Sequence, residues 1–522
     1  MNPSCDQSDF FTLHDDSLSL LDQIFMPDDW PIHWDDLLAT APFEEPMLGA
    51  TESSLDMAHT TTTQDAMECA QLLNVTDASL SQFSVDAGML LTAMQAYFEF
   101  AVLALPVILP EAFWTDVRSS VCSPCLTAAV ACRGVPFTDV DEKWNVQQQL
   151  ARIFRAKFLE ARACSPESSS VRLDELEALA LMAGFEYEAT SEDLLHMNLA
   201  KLFLTHDSLV LMTLRFDDNG SSDRQHSPAL SRLAERRVLL YWHVYAVDAF
   251  HCLDHQHTSR ILEADETDSG PILHHEAKNY FDAILALAAI ARNITKTLSS
   301  AKVKHHGIRP SDVRSLYGQI DIWKSGARVQ HLPRPTSDVV AVPESCYSSS
   351  TSPDTIRLHR AVLCALEVNC ILAIERYVST YRLQPAEHLK DEQTALEVEH
   401  RSVRAVSDMS DLVTLASKHE LEAWCFPSRG HTTADLVPVI LRNISAGCCY
   451  WICQRGIDLS VQHQISSATH TYAQKSLSGA TNYQAIAQLL KDYAATAVSH
   501  QDTAQVLERL EAQIGRLNVL LS

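Results

Sequence analysis

The chain has 522 residues, 46% of them apolar, enough for two or three core-bearing units. Its formal net charge of −27 lies mostly at one end: residues 1–117 hold twenty Asp and Glu and no Lys or Arg. That stretch cannot grip a phosphate backbone, because such affinity comes from Lys and Arg displacing counterions. After it, 40 basic side chains face 47 acidic ones, an ordinary globular balance. Only 14 residues are Gly, well under the usual share of roughly 7%, which disfavours most β-sandwiches and nucleotide-loop enzymes. The opening MNPSCDQSDFF has neither a basic leader nor an apolar core, so no secretion signal is expected and the fourteen Cys are expected to be reduced thiols. The longest apolar run, Phe100 to Leu109, is about half of a bilayer crossing and contains Pro106. No membrane span is expected.

From Asp9 the chain reads DFFTLHDDSLSLLDQIFMPDDWPIHWDDLLATAPFEE. Phe10, Phe11, Phe25, Trp30, Trp34, Leu37 and Leu38 stand among seven carboxylates between Asp15 and Asp36. Repulsion between the acids keeps such apolar side chains solvated until a partner groove takes them up, which is the logic of an acidic activation segment. Residues 1–45 are therefore read as a disordered, activation-like segment whose partners are the transcription machinery or co-activators. Residues 46–83, rich in Thr, Ser and Asp, read as a linker.

Helical periods follow. Ser84 is placed as the cap of a helix that runs until Pro106 stops it. Leu150, Ile153, Phe154, Phe158 and Ala161 share one face, as do Leu173, Leu176, Ala180 and Ala183, and then Leu195, Leu199, Leu202 and Phe203. Further helices are predicted at about 229–253, 273–299, 356–382, 391–419, 432–455 and 482–521. A polar loop at 217–228 and a Pro/Ser-rich linker at 331–355 interrupt them. With no strand alternation, the fold class is all-α: a helical region at 84–330 and a C-terminal helical region at 356–522.

Few residues carry chemistry. Cys122, Cys125 and Cys132 match half of a binuclear zinc cluster, but six thiolates are needed and the apolar residues between them suit a buried helix. His251, Asp254, His255 and His257 gather at a helix end, where imidazoles favour the dipole without any metal. Cys448, Cys449 and Cys453 lie on one helix and read as buried thiols. The acidic pairs Asp28–Asp29, Asp35–Asp36 and Asp217–Asp218 lack the helical spacing of a magnesium-binding prenyl diphosphate cyclase, and no nucleophile elbow or phosphate loop occurs. No catalytic or metal site is expected, and no cofactor. In the last helix Leu507, Leu510, Ile514, Leu517 and Leu521 have the three-four spacing of a short coiled-coil seam. The stripe suits docking on the protein's own helices and, as the alternative, self-association into a homodimer.

The segment ALSRLAERRVLLYWHVYAVDAFHCL at 229–253 resembles the most recognisable helix of the fungal-specific transcription factor family, in its middle homology region. The residues that carry the resemblance are Glu235, Arg236, Arg237, Trp242 and Asp248; Tyr241 and Ala249 depart from the family's usual Trp and Arg. Upstream, Tyr97 and Phe98 followed by PVILPEAF, and then SPCLTAAVACRG at 123–134, are similar to that region's opening elements. The resemblance implies a helical regulatory domain, an architectural role for the Arg-Trp-Asp set, with the arginines pairing with carboxylates, and a nuclear transcription regulator of RNA polymerase II genes. Family members usually bind DNA through an N-terminal zinc module, of which this sequence shows no cysteine or histidine pattern. DNA and zinc are accordingly expected only through a module outside these residues or a partner factor. A DNA-free co-regulator or scaffold is the alternative reading, and a helical prenyl diphosphate lyase or cyclase a distant one.

Overall fold

The computed structural model describes residues 86–101, 106–163, 172–188, 228–256, 258–259, 261, 275–326, 353–385, 389–417, 438–465, 487–488, 491 and 503–521. The acidic segment 1–45, the linker 46–83, Ser84, the apolar face at Leu195–Phe203, the loop 217–227 and residues 331–352 lie outside them. The described residues form thirteen α-helices. In chain order these are α1 (Ala87–Glu99), α2 (Pro110–Arg118), α3 (Pro124–Gly134), α4 (Lys143–Ala163), α5 (Leu173–Glu188), α6 (Pro228–His255) and α7 (His275–Leu298). They continue with α8 (Ala301–His306), α9 (Pro310–Ser325), α10 (Pro353–Tyr381), α11 (Leu389–Ser417), α12 (Pro438–Ile465) and α13 (Thr503–Leu521). The β pairing among the described residues is one isolated parallel bridge, Ile308 with Leu383. The all-α expectation holds.

Local chemistry fixes the helix starts. Six helices begin on Pro, whose missing N–H is no loss in a first turn. Ser123 caps α3 by accepting from the Leu126 N–H at 3.2 Å, and Ser300 caps α8 in the same way through Val303 at 3.4 Å. α1 is capped by Asp86, which accepts from the Met89 N–H at 3.0 Å. It ends at Glu99, seven residues before the predicted stop at Pro106. Phe100 leaves the helical conformation there, and its ring turns into the core against Phe137, centroids 5.6 Å apart. The helix at Pro310–Ser325 was not anticipated, although Val313, Leu316, Tyr317, Ile320 and Trp323 supply its buried face.

α3 lies at the centre of the first part, packed against α1, α4 and α5. Nine of its residues are buried, most of them Ala, Cys, Val or Gly, so neighbouring backbones approach closely all round it. A Cβ on Gly134 would sit 1.8 Å from the Ala93 carbonyl oxygen of α1. α3 and α4 are joined reciprocally: Gln147 Nε2 donates to the Cys132 carbonyl at 3.0 Å, and Cys132 Sγ to the Gln147 carbonyl at 3.5 Å.

α6 and α7 pack together, and α10 packs on both, so helices from either side of the 331–355 segment share one core. α11 and α12 lie against α10, and α13 against α12. Ion pairs knit this half. Arg401 of α11 grips Asp321 of α9 with two bonds of 2.8 Å, and Lys324 of α9 meets Glu367 of α10 at 2.7 Å. In α13, Leu510, Ile514 and Leu517 are buried, and Gly456 of α12 gives Leu517 its place, since a Cβ there would be 2.9 Å from Leu517 Cδ1. These three residues of the predicted seam are thus spent on the chain's own body. The side chains of Leu507 and Leu521 lie outside the described residues.

Gly134→Ala is expected to destabilise the protein by at least about 1–3 kcal/mol, the usual cost of overpacking. The drop would be read as a fall in the urea midpoint. Gly318→Ala is the control: its Cβ meets nothing within 4 Å on α9, and removing a helical Gly raises stability by up to about 1 kcal/mol.

Candidate functional site

The residues that carry the family resemblance lie along α6, and the structure fastens that helix at successive turns. Near its start, Arg236 reaches two other helices at once. Nε and Nη2 bind both oxygens of Glu177 of α5 at 2.9 and 2.6 Å, and Nη1 binds Asp116 of α2 at 2.7 Å. Glu177 is 0% exposed and Arg236 is buried. The two-pronged geometry is one that Arg offers and Lys does not.

Asp174, one turn before Glu177, extends the network to the α2–α3 connection. It accepts from the Ser123 N–H at 2.9 Å and from Arg172 at 2.8 and 3.0 Å. Arg172 also donates to the Val121 carbonyl at 2.7 Å. The start of α5 is closed by Glu175, whose carboxylate accepts from the Arg172 N–H at 3.3 Å, half of a capping box. Burial raises the Glu177 carboxyl to about 7, against the opposing pull of Arg236 and with Asp174 and Asp116 adding to the rise.

Midway along α6, His243 is buried and hydrogen-bonded to the backbone of Pro106; burial pushes its imidazole down to about 4. Pro106 opens the Pro-flanked segment, and the aromatic residues either side of that segment meet. Phe98 of α1 lies 5.0 Å from Phe113 and 5.7 Å from Trp114 of α2, centroid to centroid. Trp242 is half-buried and packed edge-on between Tyr241 and Tyr245, at 5.3 and 5.2 Å. Arg292 of α7 covers the Tyr245 ring at 4.6 Å, a cation–π contact.

Asp248 is 1% exposed and draws the chain beyond α6 back onto the helix. It accepts from Ser259 Oγ, whose hydroxyl also accepts from the Ile261 N–H at 3.2 Å, and Arg292 donates to the Ile261 carbonyl. At the end of α6, Arg376 of α10 donates to the Leu253 carbonyl at 2.9 Å, placing a cation at the negative helix terminus. Asn369 holds Asp254 at 2.8 Å. Glu235 and Arg237 are half-buried on the same helix.

Of the predicted set, the structure joins Arg236 to carboxylates and gives Asp248 a tethering role. Glu177, Asp116, Ser259 and Arg292 were missed. Arg236 lies 120 residues from Asp116 and 59 from Glu177, beyond any periodicity. The apolar residues of the acidic segment, Phe10 to Leu38, lie outside the described residues.

Burial holds several of the described thiols in their protonated form, while a hydrogen bond with Cys449 lowers Cys453. Cys122 is half-buried and raised to about 12 by burial, and burial lifts Cys364, Cys370 and Cys448 as well. A thiol so shifted is protonated near neutrality and is neither nucleophile nor ligand. Cys125 and Cys132 lie inside the core on α3. No group of three or more His, Cys, Asp or Glu among the described residues could hold a metal ion. The rings of His251 and His255 are tilted against each other with centroids 4.6 Å apart, and His257 lies outside the described residues. No described helix is long and apolar enough to cross a membrane.

Two outcomes are expected for the buried pair. Arg236→Ala strands Glu177 and should cost about 3–5 kcal/mol. Because Glu177 is shifted upward in the fold, its contribution to stability is full below about 4.5 and is lost as the pH rises through about 7. His243, shifted downward, works the other way between about 4 and 6.5. Comparing the pH dependence of the denaturation midpoint for wild type and Glu177→Gln isolates the carboxyl: the variant should lose the decline between pH 4.5 and 7.

No curated protein and no solved structure matches the chain. A family model does, over residues 94–270, a span that begins in α1 and takes in all of α2–α6 with the Arg236 and Asp248 contacts. Its description is the fungal specific transcription factor domain, so residues 94–270 of this chain are similar to that domain.

Proposed function

We propose that the chain is a nuclear transcription regulator of RNA polymerase II genes in which an acidic segment makes contact with the transcription machinery and a helical body regulates it. The match over residues 94–270 carries this reading. The composition of residues 1–45 supports the activation role, with Phe10, Phe11, Phe25, Trp30, Trp34, Leu37 and Leu38 as the contacts. We take the regulatory body as residues 84–330 and the C-terminal helical region as 356–522. Glu235, Arg236, Arg237, Trp242 and Asp248 hold the body's architecture; none of them acts on a substrate.

Sequence-specific DNA reading would come from a module outside these residues or from a partner factor. A co-regulator that borrows its partner's DNA contacts is the second reading, supported by the lack of a zinc-module pattern. In-frame Cys-rich and Lys/Arg-rich codons upstream of Met1 would decide for the first. Raised thiols and a family of regulators speak against an enzyme, and magnesium-dependent turnover of a prenyl diphosphate would reinstate one.

Residues 1–45 fused to an unrelated DNA-binding domain should activate a reporter. Replacing Trp30, Trp34, Leu37 and Leu38 with Ala should abolish that output, since the acids alone give a partner groove nothing to bury. Undiminished output from the quadruple variant would remove the activation role.

A further inference from the structure

In this acidic chain the sequence between Asp282 and Asp312 contains no Asp or Glu. Its second half folds into α8 and the turn after it, where Lys302, Lys304, His305, His306 and Arg309 are all exposed. The isolated bridge adds a sixth such side chain from the far end of α10. The Ile308 N–H donates to the Arg382 carbonyl at 2.9 Å, the Gln384 N–H to the Ile308 carbonyl at 2.8 Å, and Gln384 Nε2 to the Gly307 carbonyl at 3.0 Å. Gly307 sits at φ 81°, a conformation that favours Gly. A Cβ there would lie 3.1 Å from the Arg382 carbonyl oxygen. Backbone pairing thus fixes exposed Arg382 beside Gly307–Arg309.

Arg309 is engaged by Asp312 at 2.9 Å. Lys302, Lys304 and Arg382 have no ion-pair partner among the described residues. At physiological ionic strength charges act over about 8 Å, so it is the charges around this corner, and not the net charge of the chain, that set its local potential. Its apolar residues, Val303, Ile308 and Pro310, are buried. The exposed large hydrophobic side chains of the described residues lie elsewhere, at Val121, Leu233, Ile322, Leu396, Tyr450 and Val519. That contrast selects the partner. An acidic peptide of the activation type needs an apolar groove for its aromatic anchors, which this corner does not offer. A sugar–phosphate backbone needs cations and donors alone.

We propose that the corner formed by α8, the turn to α9 and Arg382 binds the phosphate backbone of duplex nucleic acid without reading its bases. The contact lies outside the matched domain and does not depend on the activation role of residues 1–45, so either can fail without the other. It is weak by itself and supplements whatever element reads sequence.

The test uses the full chain and a labelled duplex of arbitrary sequence, with anisotropy followed from about 50 to 200 mM salt, where such contacts weaken steeply. Three unpaired cations predict a slope of log K against log salt of about −2.7, and Lys302→Gln with Lys304→Gln should reduce its magnitude by about 1.8. Arg382→Gln, which leaves the backbone bridge in place, should reduce it by about 0.9. Thermal unfolding of each variant at the wild-type temperature certifies the comparison. No binding at the lowest salt, or slopes that the folded variants leave unchanged, would overturn the proposal. So would polyglutamate competing as well as unlabelled duplex at matched charge, an outcome that assigns the corner to acidic peptides.

Discussion

The guanidinium of Arg236 is the point at which α2, α5 and α6 become one body. Two carboxylates from helices remote in sequence converge on it, one of them wholly buried. Taking these charges out of water is expensive, and their mutual attraction offsets the cost only because every prong of the Arg is used in good geometry. Such a pair adds little to stability over an apolar replacement, but it tolerates very few arrangements. It fixes the rotation and height of α6 relative to its neighbours, and the later contacts of α6 depend on that setting. Tyr245 can lie under Arg292 of α7, and Asp248 can meet Ser259, only in that register.

The long helix is therefore held by different kinds of contact along its length: an ion cluster near the start, a backbone hydrogen bond and aromatic edges in the middle, and a capped terminus. Arg292 of α7 serves two of these, covering Tyr245 and holding the Ile261 carbonyl. Arg376 of α10 serves the last. Residues on both sides of the 331–355 segment thereby hold the helix on which the family resemblance was read.

Much of this was legible in the sequence and some was not, for physical reasons. The all-α class, the extent of α6 and the burial of α3 follow from periodicity and from the apolar LTAAVA run, which are local signals. The Arg-Trp-Asp set was found by resemblance, and the pairing of Arg236 with carboxylates by the chemistry of its side chain. Which carboxylates those are was illegible, since Glu177 reads as one more polar position in an amphipathic pattern. α9 was readable but overlooked: its apolar spacing is regular, and Pro310 with Asp312 marks its start. The early end of α1 was unreadable, because Phe100 leaves the helix for a place against Phe137 that only the tertiary structure supplies.

In α3 every residue but Pro124 and Arg133 is buried, and those two are only partly accessible. A helix of this kind has no cheap local opening, since exposing any one of its peptide groups displaces α1, α4 or α5. Its amides should thus exchange with solvent hydrogen only when the surrounding structure unfolds as a unit, which marks α3 as the slow-exchange core of the matched domain. The six-residue α8, exposed along most of its length, stands at the opposite end of that scale. Of the described helices, α3 and α8 thus differ sharply in burial, and a partner that ordered α8 would leave its trace in exchange there and almost none in α3.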